Sequence, residues 1–373
     1  PKRGLIFNSL KSFSHLSINF QFMFSAISSR RMSKPCFLSM LFFIDFKLLS
    51  SLILFVKDYT IKKSSVVDVN ELKSFYKTAY FTRGSIFYEN FNWFYKTSFS
   101  NETPLVLCDN EKVIGHAGLL IDNLNLNGNI HKFAWLTDLI ILPKYRKFGL
   151  AHKLVNEWMN SHKNKITIPN DLALKIYKKF NWKVNLKTAR FINFTILDKI
   201  FLKKIIFKDK LIKLKVHSID KSIIKDILQI EESDIVSEGL KVIRDESWFE
   251  WRFLQCPFKE NILCFQLDNQ YIIAQLFKGK HKNRMHILYS TENFLDETEI
   301  FKLTKSWAAD RGISFLWHIS NVQNIRNNIF SKISKKIMNF AYSTPDDELS
   351  KELENGIKNI QAADSDSGHL ILF

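Results

Sequence analysis

From Phe133 to Met159 the chain reads FAWLTDLIILPKYRKFGLAHKLVNEWM. An apolar run, Phe133–Leu142, is interrupted only by Thr137 and Asp138. It enters a basic turn and leaves it as a segment whose apolar residues Ala151, Leu154, Val155, Trp158 and Met159 lie on one side at helical spacing. This strand–turn–helix unit requires neighbours on the strand's edges and a helix on its face, which means an α/β architecture. The turn carries Arg146, Lys147 and Gly149 in a chain with only 11 glycines among 373 residues. A helix start exposes unpaired backbone N–H groups and a partial positive charge. Glycine lets another body approach that backbone closely. The unit is built to hold an anion, phosphate foremost.

The flanking sequence extends the pattern. Tyr59–Lys63 reads as a strand and Val69–Tyr76 as the start of an amphipathic helix. Pro104–Cys108 and Lys112–Leu120 are apolar strands on either side of a turn, Asp109-Asn110-Glu111. Ile166–Ile168 is a short strand and Asp171–Phe180 a second helix. Asn170 is placed to cap its start, and Asn181 to take the left-handed position at its end. The expected fold class is α/β, with a mixed α+β sheet and local parallel pairing.

Two segments then recur in order. FNWFY at Phe91–Tyr95 is matched by FEWRF at Phe249–Phe253, and LCDNEKVI at Leu107–Ile114 by QLDNQYII at Gln266–Ile273. The repetition predicts two related domains, 58–203 and 216–373, joined through the lysine-rich stretch Phe201–Lys215. Residues 1–57 form a leader of uncertain status, expected to be non-native or partly disordered. Within it Phe37–Val56 is nearly apolar, but Asp45 and Lys47 interrupt its middle. That charge argues against a span and leaves weak membrane association through residues 37–56 open.

The net charge of +17 favours anionic partners in general. The lysines are dispersed, and no zinc-finger, helix-turn-helix or aromatic RNA-binding pattern accompanies them, so no nucleic acid is expected. Cys36, Cys108, Cys256 and Cys264 form no C-x-x-C pair, and the ten histidines show no metal-binding spacing. No metal is expected. Reduced thiols point to the cytoplasm.

Leu136–Ala151, LTDLIILPKYRKFGLA, resembles the acyl-CoA-binding segment of the GNAT superfamily of N-acetyltransferases. Strand, Pro143, Tyr145, then R-x-x-G-x-A as Arg146, Gly149 and Ala151, then helix, match in register. Asn170–Trp182 resembles a second family segment, N-x-x-A-x-x-x-Y-x-x-x-G-F, with Asn181 and Trp182 in place of Gly-Phe. The resemblance implies a GNAT-like fold, duplicated here, and acetyl-CoA as co-substrate. It places the co-substrate along Leu139, Ile140 and Ile141. The phosphates would meet Arg146, Lys147, Phe148, Gly149, Leu150 and Ala151, and Asn170 and Tyr177 would complete the site.

The resemblance also implies direct transfer of the acyl group to an amine, with Tyr177 protonating the departing thiolate. Tyr177 belongs equally to the apolar face of its helix, so packing is the competing reading. An incoming ammonium must lose a proton. Asp138, whose burial would raise its pKa, is the preferred base, and His116 the next candidate. The second half lacks R-x-x-G-x-A, and its corresponding helix opens with Leu295-Asp296-Glu297-Thr298-Glu299. Those carboxylates repel a phosphate, so this half is expected to be degenerate. Chains of this tandem kind resemble enzymes that acylate amino sugars of surface polysaccharide. Trp93, Phe94, Trp248 and Trp251 are either sugar platforms or core. The alternatives are acylation of a small amine or a peptide amine, and a non-catalytic acyl-CoA-binding or cell-envelope scaffold protein.

Overall fold

The computed structural model describes residues 59–80, 84–96, 102–195, 213–234, 239–277, 283–292, 295, 298–321 and 333–364. The leader, its apolar run, the connecting stretch up to residue 212, and Asp296 and Glu297 lie outside them. Among the described residues no helix is long and apolar enough to cross a membrane.

The strands in chain order are β1 (Tyr59–Lys63), β2 (Leu105–Asp109), β3 (Lys112–Leu126), β4 (Asn129–Ile141), β5 (Lys165–Thr167), β6 (Lys183–Asn185) and β7 (Thr188–Phe194). The later part of the chain adds β8 (Lys215–His217), β9 (Leu240–Val242), β10 (Ile262–Leu267), β11 (Gln270–Phe277), β12 (Asn283–Ser290), β13 (Ile313–Asn321), β14 (Ile333–Ile337) and β15 (Phe340–Ser343). One sheet has the order β1-β2-β3-β4-β5-β15-β6, with β9 added beside β3. The other has the order β8-β10-β11-β12-β13-β7-β14. Each holds one parallel pair, β4 with β5 and β12 with β13, among antiparallel neighbours. The mixed α/β class expected from the strand–turn–helix unit is therefore present.

The two sheets exchange strands. β15, from near the end of the chain, lies between β5 and β6. β7, from the first half, lies between β13 and β14. The sequence boundary between the halves therefore does not coincide with the boundary between the sheets. No local pattern announces this, because the partners are far apart in sequence.

At the seam the recurring aromatic segments meet. Asn92–Lys96 and Glu250–Leu254 are both π-helical turns. Trp93 Nε1 donates to the Trp251 carbonyl at 2.7 Å, and Trp251 Nε1 donates to the Trp93 carbonyl at 3.0 Å. The two residues are 158 apart, and the same interval separates Asn110 from Asp268. These last two residues take the left-handed positions of their hairpin turns, at φ 54° and 51°. The turns thus align one residue away from the shared Asp-Asn letters. Trp93, Phe94, Trp248 and Trp251 are all buried. They are core rather than platforms for a sugar, with Trp93 and Phe94 packing against Trp251 across the seam.

β3 and β4 run beyond their apolar stretches and join through Asn127-Gly128, with φ 50° and 90°. This is the Asn-Gly hairpin signal. The polar residues Asp122 and Asn125, both buried, broke the apolar pattern there and hid the extension. The two helix ends expected after β5 are as read. Asn170 accepts from the N–H groups of Leu172 and Ala173, and Asn181 is left-handed at φ 60°.

Replacing Trp93 by Phe keeps a ring but leaves the Trp251 carbonyl without its Nε1 donor. A loss of about 1–3 kcal/mol is expected in urea unfolding of the full chain. The same should hold for Trp251→Phe. No loss in either variant would remove the paired hydrogen bonds as the fastening of the seam.

Candidate functional site

β4 pairs with β5 only at Ala134 with Lys165 and Trp135 with Ile166, and Thr167 Oγ1 donates to the Leu136 carbonyl at 2.7 Å. β5 then ends, while β4 continues to Ile141. Leu139, Ile140 and Ile141 therefore lie on a strand edge that no described strand covers beyond Trp135. Such an edge can accept an extended, amide-bearing chain.

The edge leads to the basic turn. Pro143–Phe148 is a short 3-10 helix, and Gly149 follows it at φ 67°. An L side chain rarely adopts that conformation, so glycine is needed there for the backbone itself. An added Cβ would meet nothing within 4 Å. The expectation that glycine keeps an approach open thus has open space in front of it. The next helix, Leu150–Met159, starts at Gly149 without a side-chain cap. No side chain of the cap residue takes its first-turn N–H groups, at Leu150 and Ala151, and groups of this kind can bind an anion.

Arg146 Nε donates to the Ile141 carbonyl at 2.9 Å, tying the guanidinium to the last residue of β4. Tyr145 anchors the turn from beneath, its hydroxyl donating to Asp109 Oδ2 at 3.0 Å. The backbones of Lys147 and Phe148 complete the turn.

Beside the edge lies a cluster of polar groups. Asp138 sits at φ 46°, in an irregular stretch where β4 slips against β3 between His116 and Gly118. Its carboxylate accepts from Tyr95 at 2.6 Å, and Tyr80 approaches the other oxygen at 3.5 Å. Burial lifts its pKa to about 6, and the bonds from Tyr95 and Tyr80 work in the opposite direction. The side chain remains half-buried rather than enclosed.

His116 Nδ1 lies 3.2 Å from the Asp138 carbonyl, which can only accept, so Nδ1 carries the proton. Burial pushes the His116 pKa down to about 4, and the ring is neutral. Nε2 therefore accepts from the Tyr76 hydroxyl, 2.9 Å away. The structure thus brings Asp138 and His116 together.

Tyr177 lies on the helix Asp171–Lys179 that follows β5. It is buried, with its ring 4.8 Å from that of Trp182. The Trp182 N–H bonds the Tyr177 carbonyl, and the Asn181 N–H bonds the Lys178 carbonyl. These are the two hydrogen bonds of a Schellman ending, and the ring pair is its hydrophobic contact.

The corresponding places in the second sheet differ. The helix Glu299–Asp310 is capped by Thr298, whose side chain accepts from the Phe301 N–H, and Glu299 lies in its first turn. The gap beyond the paired part of β12 and β13 holds the chain's own C-terminal segment. Gln361 accepts from the Ser290 N–H at 2.6 Å and donates to the Ser290 carbonyl at 2.7 Å. Asp364 fastens this segment by a two-point bond to the buried Arg244, at 2.8 and 2.6 Å.

Reading the sequence did not single out Tyr76, Tyr80, Tyr95 or Gly118 as site residues. Gly118, inside a strand, was the available signal, since glycine there marks close approach of another group.

No curated protein matches the chain in sequence. Among solved structures, a GCN5-related N-acetyltransferase from Anabaena variabilis superposes with a TM-score of 0.51 at 13% identity, covering 76% of this chain and 72% of that one. A GCN5-related N-acetyltransferase from Kribbella flavida does so with a TM-score of 0.51 at 10% identity, covering 76% and 70%. At such identity these likenesses speak for the fold alone. Residues 67–182 match the acetyltransferase (GNAT) family, a span that takes in the open edge of β4, the basic turn, Asp138 and Tyr177. The stretch 67–182 is thus similar to a GNAT acetyltransferase domain, and the mixed α/β fold is of the kind those two structures have.

Proposed function

We propose that this chain is an acyl-CoA-dependent N-acyltransferase with one active site, that acetyl-CoA is its co-substrate, and that a primary amine is its acceptor. One observation carries the reading. The uncovered edge of β4 runs directly into an uncapped helix start, with a half-buried carboxylate on the same strand.

The residues present fit the group. Leu139, Ile140 and Ile141 would pair with the amide-bearing arm. Backbone N–H groups of Phe148, Gly149, Leu150 and Ala151, with Arg146 and Lys147, would hold the phosphates. When bound, acyl-CoA supplies an acyl group activated as a thioester. Asp138 takes the proton of the incoming ammonium, a role suited to a pKa of about 6, because the group is mostly ionised at pH 7 yet still basic. Both ring nitrogens of His116 are engaged, so it holds the Asp138 backbone rather than acting as base. Tyr177 gives a proton to the departing sulfur, its ring fixed by Trp182. Asn170 contributes by starting that helix.

The halves 58–203 and 216–373 are read as products of duplication, the second degenerate. Support comes from the matching strand orders, the 158-residue interval and the reciprocal tryptophan bonds. The Thr298 cap, Glu299 and the inserted Gln361 support a single co-substrate site. An amino sugar is the first acceptor class to test. With the four aromatic residues buried, that choice rests on the resemblance of the tandem arrangement. The buried thiols Cys108, Cys256 and Cys264 suit a reducing compartment such as the cytoplasm.

Calorimetry on the full chain should give one acetyl-CoA per chain. Arg146→Glu should weaken it about 30-fold or more, since it sets a carboxylate beside the phosphates. Two sites per chain, or an unchanged affinity, would contradict the reading.

Tyr177→Phe keeps the ring against Trp182 and removes the acid. Its kcat should fall about 10²–10⁴-fold with acetyl-CoA affinity retained. Undiminished turnover would leave Tyr177 a packing residue.

A further inference from the structure

We propose that Tyr95, seated by Gly118, is the positioning residue that holds the Asp138 carboxylate ionised and aimed for proton acceptance. The inference rests on the reading of Asp138 as the base, and it concerns residues outside the family-like segments around Arg146 and Tyr177.

The geometry is specific. Tyr95 lies in the π-helical turn Asn92–Lys96, and its ring is buried. Its hydroxyl donates to Asp138 Oδ2 at 2.6 Å, a short bond of the charge-assisted kind. Having given its proton there, the oxygen accepts from Thr137 Oγ1 at 3.0 Å. Three consecutive groups are thereby ordered: a threonine hydroxyl, a phenol and a carboxylate.

The place for the phenol exists because residue 118 has no side chain. A Cβ on Gly118 would lie 2.1 Å from the Tyr95 hydroxyl oxygen and 2.4 Å from Thr137 Oγ1. Any other residue there would displace one of the two hydroxyls. Gly118 has an ordinary backbone conformation, so the close contact is what requires glycine.

The other sheet supplies an internal control. The tryptophan pair sets Tyr95 opposite Phe253. The bulge of β3 against β2 has no counterpart between β10 and β11, so along the strands His116 corresponds to Ile273 and Gly118 to Gln275. The phenol oxygen is missing there, the seat is filled and the histidine is gone. The π-helical turn itself is kept in both halves. Packing at the seam therefore needs the aromatic ring at this position, whereas the hydroxyl occurs only beside Asp138.

Among the described residues, the titratable groups facing Asp138 are Tyr95 from the π-helical turn, Tyr80 and Tyr76 from the helix Val69–Tyr80, and His116 from β3. Tyr80 stands at 3.5 Å, so Tyr95 makes the one short side-chain bond to the carboxylate. A hydrogen bond to the ionised form lowers a carboxyl pKa, and its removal raises it.

The test uses the full chain with carbon-13-labelled aspartate. Asp138→Asn assigns the Asp138 carboxyl resonance, and its titration midpoint is then followed in wild type, Tyr95→Phe and Gly118→Ala. The midpoint should rise by about one pH unit in Tyr95→Phe, a tenfold gain in proton affinity. Gly118→Ala should move it in the same direction, because the hydroxyl is pushed away. With any amine that supports thiol release from acetyl-CoA, the acidic limb of kcat/KM should shift upward by the same amount. A midpoint unmoved in Tyr95→Phe overturns the inference, even if that variant melts at a lower temperature. Unaltered turnover in Asp138→Asn would instead overturn the reading of Asp138 as base, whatever the titration of Tyr95→Phe gives.

Discussion

Everything in the described structure depends on the exchange of β7 and β15. A sheet with a strand missing between β5 and β6 would expose unpaired N–H and C=O groups on both sides of the gap. The first sheet obtains that strand from residues 340–343, and the second obtains its counterpart from residues 188–194. Neither half is complete without the other. The reciprocal bonds of Trp93 and Trp251 act at the same seam, so side chains and strands fasten it together. Long-range pairing of this kind carries an entropic cost of loop closure, which a large shared aromatic core offsets.

On this common frame the halves differ in what they leave open. In the first, no described strand covers the edge of β4 beyond Trp135, and the helix Leu150–Met159 starts without a side-chain cap. The second covers the corresponding edge with Gln361, whose amide bonds both the N–H and the carbonyl of Ser290 as a strand residue would. Arg244, fully buried, holds that segment through Asp364 and receives Glu231 as a further partner at 3.2 Å. Removing Asp364 would strand a buried charge, so the segment is fixed in place rather than laid loosely on the surface.

The local parts of this architecture were legible in the sequence, and the distant ones were not. Asn170 and Asn181 declared the ends of their helix because capping depends on neighbours within a few residues. The change of period around Gly149 declared the strand–turn–helix unit for the same reason. The exchange of β7 and β15 could not be read, because strand pairing at such distance leaves no periodic trace. Tyr95 was hidden differently: its segment reads as an aromatic core motif, and it is one. Only its hydroxyl departs from that role, and the departure becomes visible once Gly118 is seen to make room for it. The letter match of the two Asp-Asn turns likewise misled by one residue, since the backbone places Asn110, not Asp109, opposite Asp268.

Asp138 illustrates how the site and the fold constrain each other. A left-handed aspartate inside a strand costs of order 1 kcal/mol or more and persists only where its surroundings over-determine it. Here the determination comes from two directions. His116 donates to the carbonyl of Asp138, holding the backbone, while Tyr95 donates to its carboxylate, holding the side chain. The histidine is in turn held by Tyr76, and the phenol by Thr137. A regular strand would direct residue 138 according to simple alternation and would keep β4 in step with β3. The slip between His116 and Gly118 breaks that alternation where β4 parts from β5. The irregularity therefore does two things at one position: it helps a sheet edge to open, and it sets a half-buried carboxylate beside the opening.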